Sequence, residues 1–228
     1  MRMKYVLLRI IALIVMVASS ALADASSQFR NSWQWEFVSA TPDYQSGSRA
    51  IMGVGQMATD GWDGESLIET ATGPTVYVAS FHTEDSFTWS GQTGFYEVDF
   101  HAPLMPGQTK VWRLYVWATP DVPATSDMIE MVITNPMMAF PSEEYGLQFR
   151  LTLKSKPSSV TGGPDIGTVW SLDYGWGDGF LLPIYRTDNG LNGYLFEFSA
   201  TAVPEPSSLL ALAGGMGCLA ALLKRRRS

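Results

Sequence analysis

Residues 145–154 read Tyr-Gly-Leu-Gln-Phe-Arg-Leu-Thr-Leu-Lys, and no stretch of the chain restricts its fold more. Tyr145, Leu147, Phe149, Leu151 and Leu153 fall on alternate positions, with Gln148, Arg150, Thr152 and Lys154 between them. Successive side chains of a strand point to opposite faces, so this period of two describes a strand with one face in a core and one in water. Residues 29–38 repeat the pattern, with Trp33, Trp35 and Phe37 set against Ser32, Gln34 and Glu36. So do residues 95–100, where Tyr96, Val98 and Phe100 alternate with Glu97 and Asp99. Residues 110–118 are apolar at nearly every position, which predicts a strand buried on both faces; their β-branched and aromatic content favours strand over a short helix. Further strands are expected at 49–57, 75–81, 86–89, 128–134, 169–172, 180–185 and 194–199, set off by turn-forming residues. Pro183 confines its strand to an edge or a bulge. About ten short strands, with no convincing helix between the termini, predict an all-β domain of antiparallel β-sandwich or jelly-roll type.

The two ends do not share this pattern. Arg2, Lys4 and Arg9 precede an apolar run from Ile10 to Val17, and Ala21-Leu22-Ala23 places small residues at the two positions that signal peptidase reads. Residues 1–23 therefore read as a secretory signal peptide cut before Asp24. At the other end Val203 leads into Pro204-Glu205-Pro206, a stiff, extended segment because each proline fixes its φ and lacks an N–H. An apolar run from Leu209 to Leu223 follows, then Lys224, Arg225, Arg226 and Arg227. The run reads as a short transmembrane helix, and the four cations as a stop signal held on the cytoplasmic side. A plain C-terminal membrane anchor would show the same apolar and basic parts.

The order of Pro-Glu-Pro, apolar helix and arginine cluster resembles the PEP-CTERM sorting signal of bacterial exported proteins. The resemblance covers residues 203–228. It implies export, transient anchoring in the inner membrane, and removal of the tail by a membrane-embedded exosortase near Pro204-Glu205-Pro206. Release to the cell surface or to an exopolysaccharide matrix, as in a biofilm, would follow.

That leaves residues 24–202 as the domain, long enough for one sizeable core. Its charged side chains are eight cations and 21 anions, a net charge of −13, which argues against nucleic acid and anionic lipid as partners. The chain's one cysteine, Cys218, lies in the apolar tail, so the domain holds no disulfide and must be stabilised by its core. The segment from Gly53 to Ala118, with Ala58-Thr59-Asp60-Gly61-Trp62-Asp63-Gly64 ahead of two strand patterns, is similar to β-sandwich modules of bacterial surface proteins. Those modules share no agreed activity, so the similarity bears on the fold.

Chemistry is sparsely marked. Asp60, Asp63 and Glu65 put three carboxylates on a glycine-bearing loop, a donor set suited to calcium, although the spacing is not that of an EF-hand and solvated carboxylates would look the same. All eight tryptophans lie in the domain. Trp62, Trp89 and Trp176 fall in or beside loops and are the candidates for stacking on sugar rings, whereas Trp33, Trp35, Trp112, Trp117 and Trp170 fall in strands and read as core. The two histidines, His82 and His101, form no His-Glu-x-x-His pattern, and no Gly-x-Ser-x-Gly elbow or phosphate-binding loop occurs. The expectation is a non-enzymatic, exported protein with a structural or adhesive role. Two alternatives stand beside it: a carbohydrate-binding module for exopolysaccharide, and a secreted glycan hydrolase using two of the acidic residues.

Overall fold

A computed structural model describes residues 32–43, 47–60, 73–82, 93–135, 146–172 and 178–203. Eleven strands lie among them: β1 Trp33–Ala40, β2 Gly47–Val54, β3 Val76–His82, β4 Gly94–Tyr96, β5 Val98–His101, β6 Thr109–Ala118, β7 Met128–Thr134, β8 Leu147–Ser155, β9 Val169–Ser171, β10 Asp178–Pro183 and β11 Tyr194–Ala202. They form two sheets, one ordered β10-β7-β1-β2-β5 and the other β4-β3-β6-β11-β8-β9. The protein is thus all-β, with two sheets that share one core, consistent with a sandwich. Among the described residues no helix is long and apolar enough to cross a membrane. The strand expected at 86–89 and the helix expected at 209–223 lie outside the described residues.

Alternation built these strands as expected. Trp33, Trp35 and Phe37 on β1 are buried, as are Leu147, Phe149, Leu151 and Leu153 on β8 and Phe196, Phe198 and Ala200 on β11. Trp33 reaches from one sheet into the other, its ring centroid 4.8 Å from that of Phe149 and 5.6 Å from that of Trp112, edge-on to both. Phe37 meets Phe198 in the same way at 5.1 Å. Edge-to-face pairs add about 0.5–1.5 kcal/mol each to the burial of the rings, which matters in a domain without a disulfide. Close approach here has a backbone requirement: a Cβ on Gly53 would stand 2.3 Å from the Trp33 carbonyl oxygen, so only glycine lets β2 lie this close to β1.

Polar contacts join the sheets at their sides. Ser39 Oγ on β1 donates to the Val76 carbonyl at 3.1 Å, and Ser48 Oγ on β2 accepts from Val78 N at 2.8 Å. On the other side the Tyr194 hydroxyl donates to the Pro183 carbonyl at 2.5 Å, and burial pushes its pKa up to about 12. Trp170 of β9 stacks on Phe180 of β10, closing that side with an aromatic pair at 4.3 Å. Pro183 sits on β10, the edge strand of its sheet, as its missing N–H requires.

Three expectations are corrected. Residues 95–100 are not one strand. The chain bends at Glu97, so β4 pairs with β3 in one sheet while β5 crosses to pair with β2 in the other. A bend shifts the alternation by one place, and the fully buried side chain of β5 is therefore Asp99 rather than Val98 or Phe100. The β2–β5 pair is parallel, a departure from an all-antiparallel sandwich. Strand β6 alternates for most of its length, with Val111 and Arg113 outward; both its faces are buried only near Trp117. There Trp117 stacks on Tyr77 at 4.9 Å on the outer face of the sheet, away from the main core.

Trp33→Ala should lower the unfolding free energy by about 3–5 kcal/mol in denaturant titration, since it removes a ring shared by both sheets. A loss under about 1 kcal/mol would mean that Trp33 does not tie the sheets together. Tyr194→Phe should cost about 1 kcal/mol, the usual net worth of one buried hydrogen bond.

Candidate functional site

The last strand leads to the most informative place in the molecule. Tyr194, Phe196, Phe198, Ala200 and Ala202 of β11 face the core in strict alternation, so burial holds the strand in register to its end. Both edges are paired. Thr201 stands opposite Thr109 of β6, and Ala202 stands opposite Leu147 of β8. The ladder continues past the strand: Ala202 N donates to the Gln108 carbonyl at 3.0 Å, Gly107 N donates to the Ala202 carbonyl at 2.8 Å, and Val203 N donates to the Gly146 carbonyl at 2.8 Å. The residue next to Pro204 is therefore still hydrogen-bonded to the sandwich.

Two loops share this end. Residues 55–60 follow β2, and residues 102–108 join β5 to β6. Gly55 N donates to the His101 carbonyl at 3.1 Å, and Ala102 N donates to Asp60 Oδ1 at 3.1 Å, so each loop fixes the other. Asp60 Oδ1 also accepts from the Lys110 ammonium, whose side chain is only 5% exposed against 54% for Asp60. Partial burial works to raise the Asp60 carboxyl pKa, but the contact with Lys110 outweighs it and the pKa falls below the ordinary value.

Deeper in, Asp99 is 1% exposed and holds both histidines of the chain. His82 Nε2 lies 2.7 Å from Oδ2, and His101 Nε2 lies 3.3 Å from Oδ1, too poorly aligned to count as a full hydrogen bond. Trp112 Nε1 donates to the Asp99 carbonyl at 3.2 Å, and its ring lies against His101 with centroids 4.6 Å apart. Burial by itself would raise the Asp99 carboxyl; the two imidazoles more than offset it and hold the pKa down to about 2. His101 Nδ1 stands 3.8 Å from Asp60 Oδ1. The result is a line of side chains, His82, Asp99, His101, Asp60 and Lys110, drawn from both sheets. Each imidazole turns its Nε2 to the same carboxylate: His82 thereby clamps β3 of one sheet to β5 of the other, while His101 shares β5 with Asp99 and lies against Trp112 of β6.

Sequence reasoning missed this cluster because it placed Asp99 on the solvent face. One signal was available: Asp99 and His101 are two residues apart and so share a face in any strand. Of the candidate ligands for calcium, Asp60 is engaged by Lys110, while Asp63 and Glu65 lie outside the described residues. Among the described residues no group of three or more histidine, aspartate or glutamate side chains is arranged to hold a metal ion. Trp62, Trp89 and Trp176, the signal-peptidase residues Ala21 and Ala23, the motif Pro204, Glu205 and Pro206, and the basic end Lys224, Arg225, Arg226 and Arg227 also lie outside the described residues.

The depressed pKa fixes a pH dependence. Asp99 binds fewer protons folded than unfolded between 3.8, its ordinary value, and about 2. Its stabilisation is therefore fully present above about pH 4 and is lost as pH falls through about 2. Asp99→Asn should remove about 2 kcal/mol at neutral pH and flatten the acid limb of the stability curve, read by denaturant titration from pH 7 to 2. An unchanged acid limb would contradict the clamp.

Comparison with known proteins turns on the same end of the molecule. No match was found among curated proteins or among solved structures. Residues 202–227 match the PEP-CTERM protein-sorting motif, so the match begins on the last residue of β11. The chain carries the sorting tail of an exported protein that an exosortase processes at the membrane.

Proposed function

We propose that this is a surface or matrix protein made in three parts. Residues 1–23 act as a secretory signal peptide, residues 24–202 form the functional domain, and residues 203–228 hold that domain at the inner membrane until cleavage near Pro204-Glu205-Pro206. The apolar run spans the membrane with Lys224 to Arg227 on the cytoplasmic side. The freed domain then serves a structural or adhesive role in an exopolysaccharide matrix. The observation that carries this reading is the seamless join of a central core strand to the sorting motif. A domain closed by β11 loses nothing from its core when the tail is removed. The clamp around Asp99 supports a structural role, since the buried carboxylate of β5 takes His82 from β3 of the other sheet.

The test is intact mass and fractionation of the native protein beside a Pro204→Ala, Glu205→Ala, Pro206→Ala variant. The wild type should lack both ends and appear outside the cell, and the variant should stay in the inner membrane with its tail. A wild type that keeps Lys224 to Arg227 in the inner membrane would make the tail a plain anchor.

A carbohydrate-binding role is favoured by a separate feature, the aromatic strip on the outer face of β3, β4 and β6. Phe81, Phe95 and Tyr115 are half-buried there, and Phe95 lies 4.6 Å from Trp117. Binding of polysaccharide to that strip should change tryptophan fluorescence, and Tyr115→Ala should weaken the response. A silent titration would remove this reading.

A further inference from the structure

The outer face of the six-stranded sheet differs in charge from the rest of the domain. Alternation turns Arg113 of β6, Arg150 and Lys154 of β8 and Glu197 of β11 outward on it. Three of the domain's eight cations and one of its 21 anions therefore share this face. On the five-stranded sheet the outward cation, Arg49, stands between Glu36 and Glu97. Here the balance is reversed. Glu197, opposite Arg113 in the register, pairs with Lys154 at 3.5 Å, and among the described residues Arg113 and Arg150 are in no ion pair. Both arginines are exposed. They lie on the two strands that flank β11, so they stand two strand spacings apart, about 10 Å. Ser199 lies opposite Arg150, and Tyr115 of the aromatic strip is two residues from Arg113 on the same face.

We propose that this face binds an acidic polysaccharide, with Arg113 and Arg150 each pairing with a carboxylate of the sugar chain and the strip at Tyr115 packing against its rings. The inference rests on the carbohydrate-binding reading of that strip and adds the class of sugar. A planar guanidinium holds a carboxylate through two parallel N–H donors, a match that a neutral sugar does not offer. The rest of the domain, at −13 overall, repels a polyanion, so the sugar chain approaches on this face. Acidic residues flank the face at its two ends. Asp165 and Asp188 are in connections at one end, and Glu84, Asp85, Glu143, Glu144 and Asp173 are in segments that join strands at the tail-bearing end. The cations stand clear of the tail-bearing end. Arg150 is three residues into β8 and Lys154 seven, about 10 and about 23 Å from its start, whereas charges are screened over about 8 Å at physiological salt.

The test uses the full chain in phosphatidylcholine nanodiscs, titrated by calorimetry with polygalacturonate and with the same polymer fully methyl-esterified, which keeps the rings and removes the charge. Polygalacturonate should bind at least about tenfold more tightly than the ester, and its affinity should fall as salt rises from about 50 to about 200 mM. Arg113→Gln together with Arg150→Gln should weaken that binding at least about tenfold, and Arg49→Gln on the other sheet should leave it unchanged. All three positions are exposed, so the substitutions leave the core untouched. Equal binding of polymer and ester, or a double variant that binds as the wild type does, overturns the preference for acidic sugar and leaves the carbohydrate reading standing. Absence of binding to either polymer overturns both. Polyphosphate that binds as tightly as polygalacturonate shows ion exchange without recognition of sugar, which also overturns the proposal.

Discussion

Strand β11 is hydrogen-bonded on both edges and buried on alternate positions to its last residue, and the sorting tail grows directly from it. Everything else in the molecule is arranged around that constraint. A strand in the middle of a six-stranded sheet cannot slide by one residue without turning Phe196 and Phe198 into water, so its end is fixed in space. The neighbouring turns, at Gly107 and Gly146, extend the fixation to Val203.

The same end carries a cluster of buried polar side chains. A buried carboxylate in a core is costly unless it is partnered, and Asp99 meets that cost with the two imidazoles and by lying beside Trp112. Lys110, equally buried, depends on Asp60. Replacing such pairs by apolar residues often leaves stability unchanged, so their value lies in specifying which strands meet. Here they fix β5 in its parallel place beside β2 and bring the two loops of the tail-bearing end together. Rigidity at the junction and the polar cluster are in this sense one feature.

Much of this was legible in the sequence where alternation was clean. The strands over Leu147–Ser155 and Met128–Thr134, the core placement of Trp33 and Trp112, and the edge position of Pro183 all follow from a period of two or from the chemistry of proline. What was not legible depends on contacts between distant segments. Nothing local in Phe-Tyr-Glu-Val-Asp-Phe announces that the chain changes sheets at Glu97, yet that bend is what turns Asp99 inward. The outward burial of Trp117 was hidden for the same reason, since Tyr77 and Phe95, which cover it, come from other strands. The tail was read from sequence because its signal is contiguous; the clamp was not, because its members come from β3, β5, β6 and a loop.

The folded domain extends without a linker to the sorting motif. Amide hydrogen exchange of the uncleaved protein in lipid nanodiscs tests it most directly. The amides of Ala202 and Val203 should exchange slowly, opening together with Phe198 in the middle of β11. Exchange of Val203 at the rate of an unstructured amide, with Phe198 still protected, would show instead a free hinge at the junction.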